Sequence, residues 1–145
     1  MTEELINRLK ELVSLMGFED FELGQDLEHK IVSIIIHDPY LTQERVPNLV
    51  INLNRVGRLF TKQMSVEPIL IDVNNYRRER ENLIIELAKA AARKAVASKE
   101  MVSLPTMNAY ERRLVHTELA TRPDVKTESV GEGKDRYVIV KLVTD

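Results

Sequence analysis

Arg112 and His116 stand four residues apart in the stretch Met107-Asn108-Ala109-Tyr110-Glu111-Arg112-Arg113-Leu114-Val115-His116. On a helix, that spacing puts both side chains on one face, about one turn apart. A guanidinium that is always charged, beside an imidazole that can donate, accept or stack, suits a phosphate and the base or sugar next to it. The bare R-x-x-x-H pattern is short and common, and alone it describes an ordinary charged helix surface better than a site. Catalysis has weaker support. His29, His37 and His116 show neither H-x-x-x-H nor H-E-x-x-H spacing, and the chain has no G-x-S-x-G elbow and no G-x-x-x-x-G-K loop. It is expected not to be an enzyme, to need no cofactor and to hold no metal.

A helix carrying this pair is expected to start at Asn108, whose amide suits an N-cap, with Glu111 as capping-box partner and Pro105 just upstream. Met107, Tyr110 and Leu114 share the side roughly opposite Arg112 and His116, with Val115 at the flank. Burying that side would leave the Arg and the His free. Leu119 falls back on the Arg112 side, so the helix is expected to end or bend before it, and in any case before Pro123. Strands over 125–130 and 136–143 follow, joined by Gly131-Glu132-Gly133-Lys134-Asp135, whose two glycines fit a hairpin turn.

Upstream stands Tyr76-Arg77-Arg78-Glu79-Arg80-Glu81-Asn82-Leu83, and downstream Arg122-Pro123-Asp124-Val125-Lys126-Thr127-Glu128-Ser129-Val130-Gly131-Glu132-Gly133. With the central stretch, these segments resemble the R-3-H domain of the Jag, or SpoIIIJ-associated, bacterial RNA-binding proteins, from Asp72 to about Leu142. The resemblance implies a non-catalytic, cytoplasmic binder of single-stranded RNA or ssDNA. Arg112 would hold a phosphate, His116 would stack on or hydrogen-bond a base or ribose, and Arg113 would support them. Lys126, Lys134 and Arg136 would extend the basic surface, though they fit exposed sheet-edge charges equally well. Arg77, at the domain junction, would add a phosphate contact. A small KH protein is the partner the family suggests, and no membrane is involved. The alternative is a protein-interaction adaptor in which RNA binding is secondary.

Composition sets the frame. The 145 residues are 43% hydrophobic and 30% charged, ordinary for a soluble globular chain, and contain no cysteine, which excludes disulfides and thiolate chemistry. The start, Met1-Thr2-Glu3-Glu4-Leu5, is acidic, and no apolar run approaches the ~20 residues that span a bilayer, so neither signal peptide nor anchor is expected. Net charge is -2, unevenly spread: residues 1–71 hold 7 Lys and Arg against 11 Asp and Glu, and residues 72–145 hold 14 against 12. Binding to nucleic acid is therefore expected on one surface of the mildly basic half.

Leu5, Ile6, Leu9, Leu12, Val13 and Met16 recur at helical spacing and Gly17 ends the run. Residues 19–24 pair as a hairpin with the β-branched run 31–36, which is expected to be central in its sheet or covered on both sides. A helix from Pro47 to about Met64 buries Val50, Leu53, Val56, Gly57 and Phe60, with Gly57 marking a close contact. A strand over 68–73, a long helix capped by Asn74 or Asn75 and running to about Ala97, and a short strand at 102–104 complete the order. The class is α+β: a helix-strand-strand-helix-strand unit over 1–73, then an R-3-H unit over 74–145 with two helices against a small three-stranded sheet. The first unit resembles the KH-like domain that precedes R-3-H in Jag proteins. Where KH domains place a G-x-x-G loop, this chain has Glu44-Arg45-Val46-Pro47. The unit is accordingly expected to be a degenerate KH-like scaffold, structural or protein-binding.

Overall fold

A computed structural model describes residues 1–144. The chain is α+β, in two compact units, Met1–Arg77 and Arg78–Asp145. The division falls in the first turn of a helix, a few residues past the 73/74 boundary the sequence suggests.

The first unit opens with α1 (Glu3–Leu15), capped by Thr2, whose hydroxyl accepts the Leu5 N–H at 3.3 Å, and carrying Glu3 and Glu4 where the helix dipole favours acids. Leu5, Ile6, Leu9 and Val13 are its buried stripe. The strands β1 (Phe21–Asp26) and β2 (Ile31–Ile36) pair antiparallel, and β2 pairs parallel with β3 (Leu70–Val73). A parallel partner needs a crossover, which α2 (Val46–Gln63) supplies. The strand β2 is central, as expected, but it is fully covered on one face only: Val32, Ile34 and Ile36 are buried and Ile31, Ser33 and Ile35 half-buried. Pro47 sits in the first turn of α2. Gly57 marks the close approach its position suggested, for a Cβ there would lie 2.8 Å from the Ile71 Cδ1 atom.

Two asparagines complete this sheet in ways the pattern of the chain does not announce. On α2, the Asn54 amide donates to the Ile71 carbonyl at 2.8 Å and accepts the Ile71 N–H at 2.9 Å. After β3, the Asn74 side chain accepts the Ile36 N–H at 2.8 Å and donates to the Ile36 carbonyl at 3.2 Å. Asn74, its side chain committed to Ile36, does not cap the next helix, and Asn75 follows it in the turn. Both take left-handed backbone angles, φ 50 and 57°, to turn the chain, a conformation asparagine tolerates better than most residues. At that helix start it is the Asp72 carboxylate that accepts the Arg77 N–H, at 3.1 Å.

The long helix α3 (Tyr76–Ser98) lends Tyr76 to the first unit's core and supplies the second unit with a buried row of Ile84, Ala88, Ala91, Ala92 and Ala95. Then come β4 (Val102–Ser103), α4 (Ala109–Leu119), β5 (Val125–Val130), a single 3-10 turn over Gly133–Asp135, and β6 (Tyr137–Leu142). The sheet order is β4-β6-β5, with both pairings antiparallel. Val138 and Val140 of β6, Val125 of β5, Val115 and Leu119 of α4, Leu104 and Met107 close the core against the alanine row. In the hairpin, Gly131 has φ +90°, and a Cβ there would come within 2.9 Å of the Asp135 carbonyl oxygen, so the turn requires glycine. Among the described residues, no helix is long and apolar enough to cross a membrane.

Candidate nucleic-acid interface

Helix α4 begins where the sequence places it. The Asn108 side chain accepts the Glu111 N–H at 2.9 Å. Glu111 does not reach back to complete a capping box; its carboxylate takes the Arg80 Nε at 3.1 Å instead, tying α4 to α3.

The helix is rotated relative to the sequence expectation. Val115 and Leu119 are the buried side chains of α4, which runs unbroken through Leu119. At about 100° per residue, Arg112, Val115, His116 and Leu119 share a side. The Arg/His pair therefore flanks the face turned to the sheet and does not lie opposite it. Tyr110, expected in the core, is 45% exposed, and its hydroxyl donates to Glu81 at 2.7 Å. The physical reason lies in β5. Its alternation turns Val125, Thr127 and Ser129 towards α4, and the two hydroxyls satisfy an imidazole that could not otherwise sit there without cost. His116 Nδ1 hydrogen-bonds Thr127 Oγ1 at 2.6 Å and Nε2 hydrogen-bonds Ser129 Oγ at 2.7 Å.

Arg112 is half-buried, and one of its guanidinium nitrogens donates to the Met107 carbonyl at 2.7 Å. It lines a groove of about 470 Å³ together with Met107, Asn108, Glu111, Gly133 and Lys134. The first turn of α4, a guanidinium and an ammonium thus meet at one depression, an arrangement that attracts an anion. The one acid in the lining, Glu111, is already matched by Arg80.

The other candidates divide. Arg113 is exposed and does not line the groove. Arg136 is half-buried just before β6; its carbonyl accepts the Met107 N–H at 3.0 Å, while its Nε is buried without a hydrogen-bond partner among the described residues. Lys126 alternates onto the sheet face away from α4, the face where Lys141 pairs with Glu128 at 2.9 Å. Arg77 belongs to the first unit. Thr127 and Ser129 escaped sequence reasoning as functional positions; their signal was the alternation of hydroxyls along a strand predicted to lie near the histidine.

The environment of His116 has a measurable consequence. Burial, and after it the Arg112 charge, hold its pKa below the ordinary histidine value. As pH falls through about 6.5, the unfolded chain takes up this proton before the folded one does. The stability that the neutral ring contributes above that pH is therefore lost as the solution is acidified towards the lower folded pKa. Urea titrations between pH 7.5 and 5 should show a steeper loss for the parent than for His116→Gln. Equal slopes would count against the buried, neutral imidazole.

Helix α4, strands β5 and β6 and the groove lie within residues 82–142, which match the R-3-H domain family. These residues form an R-3-H domain. The same similarity extends to RNA-binding proteins named KhpB. That of Clostridium symbiosum is 42% identical over 74 residues, 51% of this chain and 33% of its own length. Those of Lactiplantibacillus plantarum and Bacillus subtilis are 36% and 30% identical over 74 residues, about half of this chain and 23% and 36% of theirs. The chain thus matches roughly a quarter to a third of the length of these relatives. The likeness to the Jag family seen in the sequence holds for the R-3-H domain, and the groove beside Arg112 is a feature of that domain.

Proposed function

We propose that the chain is a non-catalytic, cytoplasmic binder of single-stranded RNA, and that the R-3-H domain takes the strand at the groove between the start of α4 and the β5–β6 turn. The observation that carries this is the convergence of Arg112, Lys134 and the first turn of α4 on one depression. A phosphate there receives charge-assisted hydrogen bonds from the guanidinium and a point charge from the ammonium. His116, with both ring nitrogens engaged by β5 hydroxyls, fixes the height and rotation of α4 over the strand, and so aims Arg112. Arg136, just before β6, supports the same corner through its carbonyl, which holds the Met107 N–H. RNA is favoured over ssDNA because the relatives are RNA-binding proteins.

In the same proposal, residues 1–73 are a KH-like unit that has lost the means of gripping a backbone by its amides. Its second helix begins with Val46 and Pro47, where proline has no N–H to give and no glycine opens the approach.

Fluorescence anisotropy with a short single-stranded RNA tests the groove. Micromolar binding is expected, with a slope of log K against log salt near -2, since two or three phosphate contacts contribute about -0.7 each. A slope steeper than about -5, or preference for a duplex of the same sequence, would overturn the proposal.

A further inference from the structure

Between Glu44 and Glu67 the chain contains no acidic residue, although residues 1–71 as a whole carry 11 acids against 7 bases. Four of those bases, Arg45, Arg55, Arg58 and Lys62, fall in this interval. On α2, Asn48, Asn52, Arg55, Leu59 and Lys62 project within a narrow sector, with Ile51 and Arg58 at its margin, and all of them are exposed. Among the described residues, no carboxylate pairs with Arg55, Arg58 or Lys62. The helix therefore presents a stripe of cations and amides in a unit that is otherwise acidic.

At the head of this stripe stands an aromatic platform. The Arg45 guanidinium lies 3.9 Å from the centre of the Tyr40 ring and donates to the Tyr40 carbonyl at 2.7 Å. The loop is held by its own bonds: Asp38 accepts the Tyr40 N–H at 2.8 Å, and the Thr42 and Arg45 amides donate to the Tyr40 and Thr42 carbonyls, both at 3.0 Å. Tyr40 remains 69% exposed, so a ring face is open to solvent although the side chain is already ordered. A pre-ordered aromatic with a stacked guanidinium, followed by a row of cations and amides, has the two parts that single-stranded nucleic acid needs: a surface for a base to stack on and charges for the phosphates.

We infer that the outer face of α2 is a second site for single-stranded RNA, with Tyr40 and Arg45 stacking a base and Arg55, Arg58 and Lys62 meeting the phosphates. Side chains here take over the task that an N-terminal glycine loop would perform with its backbone. The site lies in the first unit and is separate from the R-3-H groove. An anionic membrane surface would also be attracted by a basic helix bearing Ile51 and Leu59; the amides and the exposed aromatic stack favour nucleic acid, because they offer hydrogen bonds and a π-face that lipid headgroups do not require.

Isothermal titration of the full chain with a short single-stranded RNA decides the matter. The parent should take up two equivalents. Arg112→Ala should take up one, Arg55→Gln with Arg58→Gln should also take up one, and the triple variant none. In the Arg112→Ala background, Tyr40→Ala should weaken the remaining site about tenfold, in line with the loss of one stacked base. Replacing the two arginines one at a time in that background should flatten the salt dependence by about 0.7 for each. Glutamine favours helix, so circular dichroism should show these variants folded. A single equivalent that Arg112→Ala abolishes and the α2 substitutions leave unchanged would overturn this inference alone. A single equivalent that survives Arg112→Ala and is lost with the α2 arginines would sustain it and sink the groove assignment. Loss of binding to phosphatidylserine vesicles on the α2 substitutions, with RNA uptake unchanged, would overturn it in favour of a membrane surface.

Discussion

Replacing Asn54 with leucine should lower the unfolding free energy by about 2 to 4 kcal/mol, because two backbone groups of Ile71 would lose their partners at once. Ile71 is 1% exposed and belongs to β3, an edge strand whose other side is already paired with β2. The Asn54 amide stands where a further strand would stand: it gives one hydrogen bond and accepts another, and its NH2 group also donates to the Val50 carbonyl at 2.8 Å. Leucine matches the volume but neither bond, and each orphaned buried group costs on the order of 1 to 3 kcal/mol. Asn54→Asp keeps the acceptor and loses the donor, so it should fall between. Urea melts of the three proteins measure this. A loss below about 1 kcal/mol for the leucine variant would show that water replaces the amide and that the edge is not held by it.

The same asparagine shows where sequence reasoning stops. The amphipathic period of α1, the β-branched run of β2, the proline at the head of α2 and the two glycines after β5 are local signals. Each fixed its element to within a few residues. Gly57 was legible too, since a glycine inside a helix needs a packing reason and Ile71 supplies one. Asn54 and Asn74 look like ordinary polar positions until tertiary structure brings the backbone of Ile71 and Ile36 beside them. At the site, the start of α4 was read correctly from Asn108, yet its rotation was not. Met107, Tyr110 and Leu114 were counted as one apolar side, whereas Tyr110 carries a hydroxyl that prefers Glu81, and Val115 with Leu119 claims the sheet. A wheel of hydrophobic residues cannot foresee that a histidine will be accepted on the inner flank, because the two hydroxyls that make it acceptable belong to another element.

That rotation changes what the Arg/His pair should do when it is taken apart. Arg112→Ala should weaken RNA binding by about 1.5 to 3 kcal/mol, the range of a hydrogen bond to a charged group, because the groove would keep Lys134 alone as its unmatched cation. Its cost to folding should be small: one bond to the Met107 carbonyl, on the order of 1 kcal/mol. His116→Ala should behave in the opposite proportion. It leaves the Thr127 and Ser129 hydroxyls without their partner beneath α4, so about 2 kcal/mol of stability should go, while RNA binding should fall by less than in the arginine variant. The two losses of binding should not add, since a histidine that aims the arginine has nothing left to aim once the arginine is gone. A double variant falling short of the sum by at least about 0.5 kcal/mol is expected. Anisotropy with short RNA in the Arg55→Gln, Arg58→Gln background, so that only the groove is read, paired with thermal melts of every variant, separates the two roles. Full additivity would mean that His116 meets the strand itself, and undiminished binding in a folded double variant would remove the pair from the interface altogether.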